Sequence, residues 1–131
     1  MSQENVDQFR RGIEAFNRMD IPALIELMDP EIQFDHRLTE LQGSYAGLEG
    51  LQGSFADAAE HFDTWRVECP DVRDLGDRVL ALGTTRLTGK GSGAETELPF
   101  TVVATFKDAR ITHYTDFGDR DRALEAAGLS E

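Results

Sequence analysis

The sequence has few of the features that mark membrane, secreted or disulfide-held proteins. No stretch of its 131 residues is long and apolar enough to cross a bilayer. Its polar start has neither the basic nor the apolar part of a secretory signal. Cys69 is the only cysteine, so no disulfide can form within the chain. We therefore expect a cytoplasmic protein whose fold depends on packing alone.

Basic residues are also scarce. The chain has 13 Lys and Arg against 25 Asp and Glu, which gives a net charge of −12 at pH 7. Such a surface repels phosphate backbones and anionic lipid headgroups, so neither nucleic acid nor a membrane is an expected partner. Hydrophobic residues make up 40% and charged residues 29%, which are ordinary values for a globular protein. At this length we predict one domain over residues 1–131.

The first part of the chain has helical periodicity. Apolar residues recur every three or four positions over residues 6–16, which predicts an amphipathic helix. Asp20 and Pro22 open a short second helix that continues to Met28 and is stopped by Pro30. A first strand follows, because apolar and polar residues alternate up to His36.

The later part changes from helical spacing to alternation. Residues 48–62 carry the clearest amphipathic helix, and four strands follow it as a meander. The turns between these strands are predicted at residues 76–77, 89–93 and 108–109. Pro99 lies inside the third of these four strands, which predicts a bulge or a sheet edge at that point. Asp119 caps a final short helix closed by Gly128. Helices followed by an antiparallel sheet indicate an α+β fold.

This order resembles the nuclear transport factor 2-like superfamily and its SnoaL-like branch. The segments that carry the resemblance are Asp20-Ile21-Pro22-Ala23-Leu24, Tyr45-Ala46-Gly47-Leu48-Glu49-Gly50, Gly76-Asp77-Arg78-Val79, residues 89–93, residues 111–117, Asp119 and residues 123–128. The resemblance implies a cone-shaped, curved antiparallel sheet wrapped on N-terminal helices, with a cavity at one end and frequent dimerisation through the sheet. The family includes isomerases, dehydratases, epoxide hydrolases, polyketide cyclases and proteins that only bind, so it implies the fold better than the function.

Three residues are candidates for proton transfer. Asp35 lies near the end of the first strand, close to where ketosteroid-isomerase-like members carry their general base. In an apolar cone its carboxylate would be able to move a proton, whereas at the rim it would only meet water. Asp116 aligns with an acidic position of polyketide-cyclase members, and an ion pair with Arg78 or Arg86 is its alternative role. His113 is the third candidate.

The last strand, residues 110–117, combines ionisable and aromatic side chains, which are uncommon in plain core strands. On a regular strand His113 and Phe117 share one face, and Tyr114 and Asp116 share the other. On a regular strand only one of these two sets can face a cavity. A bulge would exchange the two faces, so alternation leaves both arrangements open.

Five residues are predicted to line the cavity: Tyr45, Trp65, Tyr114, His36 and Phe117. Tyr45 precedes the long helix and would either donate to a ligand oxygen or cover the core, and Trp65 would either form a wall or pack beneath that helix. The three histidines of the chain match no metal-ligand spacing, and no motif indicates a cofactor, so we predict neither.

Two functions follow from this reasoning. In the first, the protein is a cofactor-free acid/base enzyme of the isomerase, dehydratase or cyclase class that acts on a small apolar or aromatic molecule. In the second, it is a non-catalytic, dimeric binding or structural module with an inert or plugged cavity. A homodimer through the sheet is expected in both, because a strand face with Leu98, Phe100 and Val102 would expose more apolar area than a monomer usually does.

Overall fold

The computed structural model describes residues 2–36, 45–46 and 62–128, with the side chains of residues 3–33 and 62–128. The helices of this part are α1 (Ser2–Asn17), α2 (Ile21–Glu26) and α3 (Arg120–Ala126). Its strands are β1 (Met28–His36), β2 (Tyr45–Ala46), β3 (Phe62–Asp74), β4 (Arg78–Gly89), β5 (Glu95–Lys107) and β6 (Arg110–Asp116). The helix expected over residues 48–62 lies outside the described residues except for Phe62, with which β3 begins.

The described strands form one sheet in the order β2-β1-β6-β5-β4-β3. The strands from β3 to β6 make the predicted antiparallel meander. β2 also pairs with β1 in an antiparallel arrangement. β1 and β6, which come from opposite ends of the chain, run parallel to each other. The predicted α+β class, with N-terminal helices on a curved sheet, is confirmed.

Local sequence accounts for the junction between the first two helices. Met19 follows α1 with a positive φ of 58°, and the Asp20 N–H donates to the Ala15 carbonyl oxygen at 2.9 Å. This is the helix ending that glycine usually provides. Asp20 then caps α2, because its side chain accepts a hydrogen bond from the Ala23 N–H at 3.3 Å. The predicted start of α2 is therefore confirmed.

The predicted end of α2 is wrong. α2 ends at Glu26, and Met28 already begins β1. Pro30 consequently lies inside a strand and does not stop a helix. It falls where the register between β1 and β6 shifts, and a residue without an N–H is tolerated where the ladder is irregular.

A bulge bends the edge strand β3 against β4. Cys69 and Pro70 both stand opposite Gly83, because the flanking pairs are Glu68 with Thr84 and Asp71 with Leu82. A Cβ atom on Gly83 would lie 2.1 Å from the carbonyl oxygen of Glu68. The residue facing the bulge must therefore be glycine.

A second bulge lies between β5 and β6. The pairs run from Thr105 with His113 to Phe106 with Ile111, so Thr112 is the extra residue. The predicted turn at residues 108–109 is confirmed, and both of its residues have positive φ. Pro99 keeps an unshifted pairing with β4, whereas β6 pairs with β5 only from Val102 onwards. Pro99 therefore marks an edge and not a bulge.

The sheet has two differently packed sides. The inner face, defined as the side that packs against α1 and α2, contributes most of the larger core cluster, and the outer face packs its smaller cluster against α3. Phe100 and Val102 belong to the inner cluster and are only 7% and 0% exposed. The reason given for a homodimer is therefore wrong for these two residues, because a monomer already buries them. The homodimer itself stays a prediction.

Candidate functional site

The inner face is lined by aromatic rings near α1. Phe9 and Phe100 have ring centroids 6.5 Å apart, and Phe16 meets Trp65 edge-on at 5.6 Å. Asn17 ties the end of α1 to β3, since its side chain donates to the Val67 carbonyl oxygen at 2.8 Å and accepts from its N–H at 2.9 Å. Trp65 is thus a wall of the inner face, and whether it contacts a ligand stays a prediction.

Tyr114 places a phenol among these apolar residues. The bulge at Thr112 brings Ile111 and Tyr114 to the same face, and both pack with the inner cluster. Burial raises the pKa of Tyr114 well above its usual range, and the charges of Asp116 and Cys69 act in the same direction. The phenol therefore stays protonated at neutral pH, and it is suited to donate a hydrogen bond.

Asp116 lies next to Tyr114 on the same strand face, at the end of β6. It is 8% exposed, and its Oδ1 accepts from the Gly118 N–H at 3.0 Å and from the Thr101 hydroxyl at 3.4 Å. An ion pair with an arginine was the alternative role. Arg86 instead pairs with two glutamates, and Arg78 donates to a backbone carbonyl oxygen. The Gly118 N–H and the Thr101 hydroxyl are thus two neutral donors to this carboxylate, and the ion pair with an arginine stays a prediction.

Cys69 is the third ionisable group near this point. Its thiol lies 3.5 Å from the Leu82 carbonyl oxygen. Burial raises its pKa to about 11, although the charge of Arg10 acts in the opposite direction. A thiol that stays protonated at neutral pH is a poor nucleophile. Cys69 is a small, partly buried residue that packs against the inner cluster.

The other set of side chains on β6 faces away from this group. His113 is exposed, and its Nδ1 lies 3.3 Å from the Thr112 hydroxyl. Phe117 packs with the outer cluster beside α3. The structure thus answers the question that the alternation of β6 left open: Tyr114 and Asp116 share the inner face, while His113 and Phe117 do not.

Three predicted site residues are described only through their backbone. In the ladder between β1 and β6, Asp35 stands opposite Thr115, and His36 stands opposite Asp116. Tyr45 pairs with Phe34 across β1 and β2. Their side chains lie outside the described part of the chain, so the roles predicted for them stay predictions.

Thr101 is a residue of this site that sequence reasoning missed. A threonine inside an apolar strand resembles any other residue with high β propensity. Its contact with Asp116 links residues that are 15 positions apart, so only the pairing of β5 with β6 reveals it.

Three further observations complete the description. A cleft of about 550 Å³ lies at the start of α1, and the residues that line it are Glu4, Asn5, Gly76, Asp77, Phe106, Asp108 and Ala109. None of the predicted site residues is among them. Within residues 2–36, 45–46 and 62–128, no three His, Cys, Asp or Glu side chains are arranged to hold a metal ion. No helix in these same ranges is long and apolar enough to span a membrane.

Comparison with known proteins agrees with this fold. Residues 9–114 match the SnoaL-like domain family. Among solved structures, an NTF2-like protein of unknown function from Burkholderia pseudomallei is 23% identical, with a TM-score of 0.81 and coverage of 93% of this chain and 95% of the other. TerC co-crystallised with polyporic acid is 21% identical, with a TM-score of 0.80 and coverage of 95% and 98%.

A third solved structure is a Catenulispora acidiphila protein with a ketosteroid isomerase-like fold, in complex with trimethylamine. It is 17% identical, with a TM-score of 0.74 and coverage of 93% of this chain and 92% of the other. At these identities the likeness concerns the fold. No curated protein sequence matches the chain.

Proposed function

We propose that this chain, which belongs to the SnoaL-like domain family, is a small-molecule pocket protein that binds an oxygen-bearing apolar or aromatic ligand. The observation that carries the proposal is the buried phenol of Tyr114 on the inner face, beside the carboxylate of Asp116. An apolar wall with a small number of polar groups is the usual composition of a ligand site.

The chemistry that fits this pair is cofactor-free proton transfer next to a carbonyl group. A carboxylate would remove the proton from the carbon beside the carbonyl, and the electron pair of the broken C–H bond would form an enolate. The protonated Tyr114 would donate a hydrogen bond to the enolate oxygen as its charge develops. Asp116 is the candidate base from its position beside Tyr114 on β6. Asp35, the base that the sequence resemblance suggests, stands opposite Thr115 and not opposite Tyr114 in the ladder.

Two of the similar structures support a pocket of this kind. TerC was crystallised with polyporic acid, and the Catenulispora acidiphila protein was crystallised with trimethylamine. The fold thus accommodates small organic molecules in those two proteins. For this chain we propose a neutral, planar ligand, because the described inner face is built from rings and aliphatic side chains.

A non-catalytic module is the second candidate function. It is favoured by the packing of the inner face, where Trp65 meets both Phe16 and Phe62 edge-on. Such ring clusters would fill a narrow cone with side chains and leave no room for turnover. In that case the protein would bind poorly, or would bind and release its ligand unchanged.

Binding can be tested with 2-acetonaphthone, an aromatic ketone, and with 2-isopropylnaphthalene, which lacks the oxygen. Trp65 is the only tryptophan of the chain, so its fluorescence reports on the inner face. We expect Tyr114→Phe to weaken ketone binding by about 2- to 10-fold, the value of one neutral hydrogen bond, and to leave hydrocarbon binding unchanged. Thr115→Val, which removes a hydroxyl from the opposite face of β6, is the control. Equal losses for both ligands, or no binding of either, would contradict the proposal.

Turnover can be tested by the exchange of the acetyl protons of 2-acetonaphthone in D₂O, followed by proton NMR. An acid/base enzyme should accelerate this exchange, and either Asp116→Asn or Asp35→Asn should abolish most of the acceleration. Asn at position 116 keeps an oxygen for the Gly118 and Thr101 donors, so the fold should persist. Ketone binding without any acceleration would favour the binding module.

A further inference from the structure

The carboxylate of Asp116 is held at one oxygen by donors from two parts of the fold. The Gly118 N–H follows it in the chain, and the Thr101 hydroxyl comes from β5. Thr101 is 2% exposed and Asp116 is 8% exposed, so both contacts lie away from bulk water. The Gly118 contact at 3.0 Å has the usual length of a hydrogen bond, and the Thr101 contact at 3.4 Å is long for a hydroxyl donor.

Thr101 contacts the end of β6 and not the inner cluster. Its neighbours Phe100 and Val102 belong to the inner cluster, so the Thr101 side chain leaves β5 on the other side. It reaches Asp116 at the end of β6, at the oxygen that also accepts from the Gly118 N–H. Its carbonyl oxygen also accepts from the Phe117 N–H at 2.9 Å. The backbone and the side chain of Thr101 therefore both contact residues 116–117.

We propose that Thr101 is a positioning residue, whose hydroxyl, together with the Gly118 amide, fixes the orientation of the Asp116 carboxylate at the end of β6 and so sets its distance from the Tyr114 phenol. The inference rests on the proposed function, because it gives Thr101 a role through Asp116. It concerns the geometry of the pair, however, so it can be tested without a ligand and without turnover.

The charges that reach this pair come from several elements. Cys69 on β3 acts on Tyr114, and Arg10 on α1 acts on Cys69. His36 on β1 stands opposite Asp116 in the ladder. The readout must therefore report on the Tyr114 phenol alone. The chain has two tyrosines, so Tyr45→Phe leaves Tyr114 as the only one. Fluorinated tyrosine at that position is more acidic than tyrosine, so ¹⁹F NMR can follow its titration at a lower pH.

The experiment is a double-mutant cycle on the pKa of this phenol. Asp116→Asn should lower the pKa, because it removes a negative charge that disfavours the phenolate. Thr101→Val should also shift the pKa, because the released carboxylate changes its distance from the phenol. Thr101→Val should cause no further change when Asp116 is already Asn. Thr101→Ser, which keeps the hydroxyl, should titrate like the wild type.

The control and the contrary outcomes are equally specific. Thr85→Val removes another buried threonine hydroxyl and should leave the phenol unchanged. If Thr101→Val leaves the pKa unchanged, or shifts it equally in both backgrounds, Thr101 only packs and the inference is wrong. Thr101→Ala replaces the valine variant if that one does not fold. A Thr101→Ser protein that titrates like Asp116→Asn would also overturn the inference.

Failure of this inference and failure of the proposed function can be told apart. If the double-mutant cycle gives the expected pKa shifts but 2-acetonaphthone does not bind, the proposed function is wrong and Thr101 remains the residue that positions Asp116. If ketone binding depends on Tyr114 but Thr101→Val does not change the pKa of the phenol, only the role of Thr101 is wrong.

Discussion

The inner and outer faces of the sheet come from the same strands but have different chemistry. The inner face packs Val79, Ala81 and Phe100 against the helices, each of them 7% exposed or less. On the outer face of the same strands, Arg86 pairs with Glu68 and Glu97 at 3.4 Å, and all three side chains are at least 50% exposed. The inner face therefore provides most of the stability, because apolar burial exceeds the contribution of exposed ion pairs.

The comparison is sharpest on β6, where the two faces separate ionisable residues. Tyr114 and Asp116 lie on the inner side, and His113 is exposed on the outer side. The bulge at Thr112 produces this division, since one extra residue exchanges the faces on either side of it. A group for proton chemistry belongs on the inner face, where water is excluded and electrostatic interactions are stronger.

The largest expected effect is on the inner face. Phe100→Ala should lower the free energy of unfolding by about 3–5 kcal/mol, since it removes a buried ring that packs near Phe9. The matched outer-face variant is Glu97→Ala on the same strand, for which we expect a change within about 0.5 kcal/mol. Urea unfolding followed by circular dichroism gives both values. Similar losses for the two variants would mean that the assignment of the faces is wrong.

The next effect concerns the bulge of β3 that faces Gly83 on β4. Gly83→Ala should destabilise the protein by about 3 kcal/mol, because its Cβ would overlap the carbonyl oxygen of Glu68 and the Cα of Cys69. Gly12→Ala is the control, since a Cβ there would meet only Leu24 and Leu27 at 3.6–3.7 Å. That control should raise stability by about 0.4–1 kcal/mol. A Gly83→Ala protein as stable as the wild type would rule out the close approach of β3 and β4.

A third prediction uses pH to separate the faces. The folded-state pKa of Tyr114 lies above its unfolded value of about 10, so the stability it contributes is fully present below pH 10 and is lost as pH rises. Cys69 has the same sign and contributes from about pH 9 upwards. Tyr114→Phe should remove up to about 1.4 kcal/mol per pH unit from the alkaline slope of stability, the value for one proton.

Thr115→Val, on the outer side of the same strand, is the control for that slope. It removes a hydroxyl that does not titrate, so the alkaline loss of stability should match the wild type. Urea midpoints measured at several pH values between 8 and 12 give the slopes. An unchanged slope in Tyr114→Phe would show that the phenol titrates alike in the folded and unfolded chains.

The smallest effect is expected for the outer ion pairs. Arg86→Gln should cost less than about 1 kcal/mol, because the arginine and both of its partners are half exposed and solvent screens their charges. Adding 1 M salt should reduce the difference between wild type and variant still further. A loss of about 3 kcal/mol that persists in salt would place the outer face among the main sources of stability.

Local chemistry determined several features of this protein. The start of α2 follows from the Asp20 side chain, which accepts from the Ala23 N–H three positions on. The turn at residues 108–109 is a two-residue hairpin connection, and both of its residues have positive φ. The segments that resemble the SnoaL-like family likewise predicted the α+β fold, which is confirmed. These features needed no information about distant parts of the chain.

Only the tertiary structure decided which side chains meet. The predicted end of α2 was wrong because Pro30 takes part in a strand whose partner, β6, lies at the other end of the chain. A bulge exists only relative to the opposite strand, so the face of Tyr114 was not readable from alternation. Thr101 has the pattern of an ordinary strand residue, and the pairing of β5 with β6 brings it to Asp116. The sequence by itself therefore determined most of the elements and the ionisable residues of the candidate site. The long-range pairing of strands determined which of those residues share one face, because contacts between distant positions have no local signature.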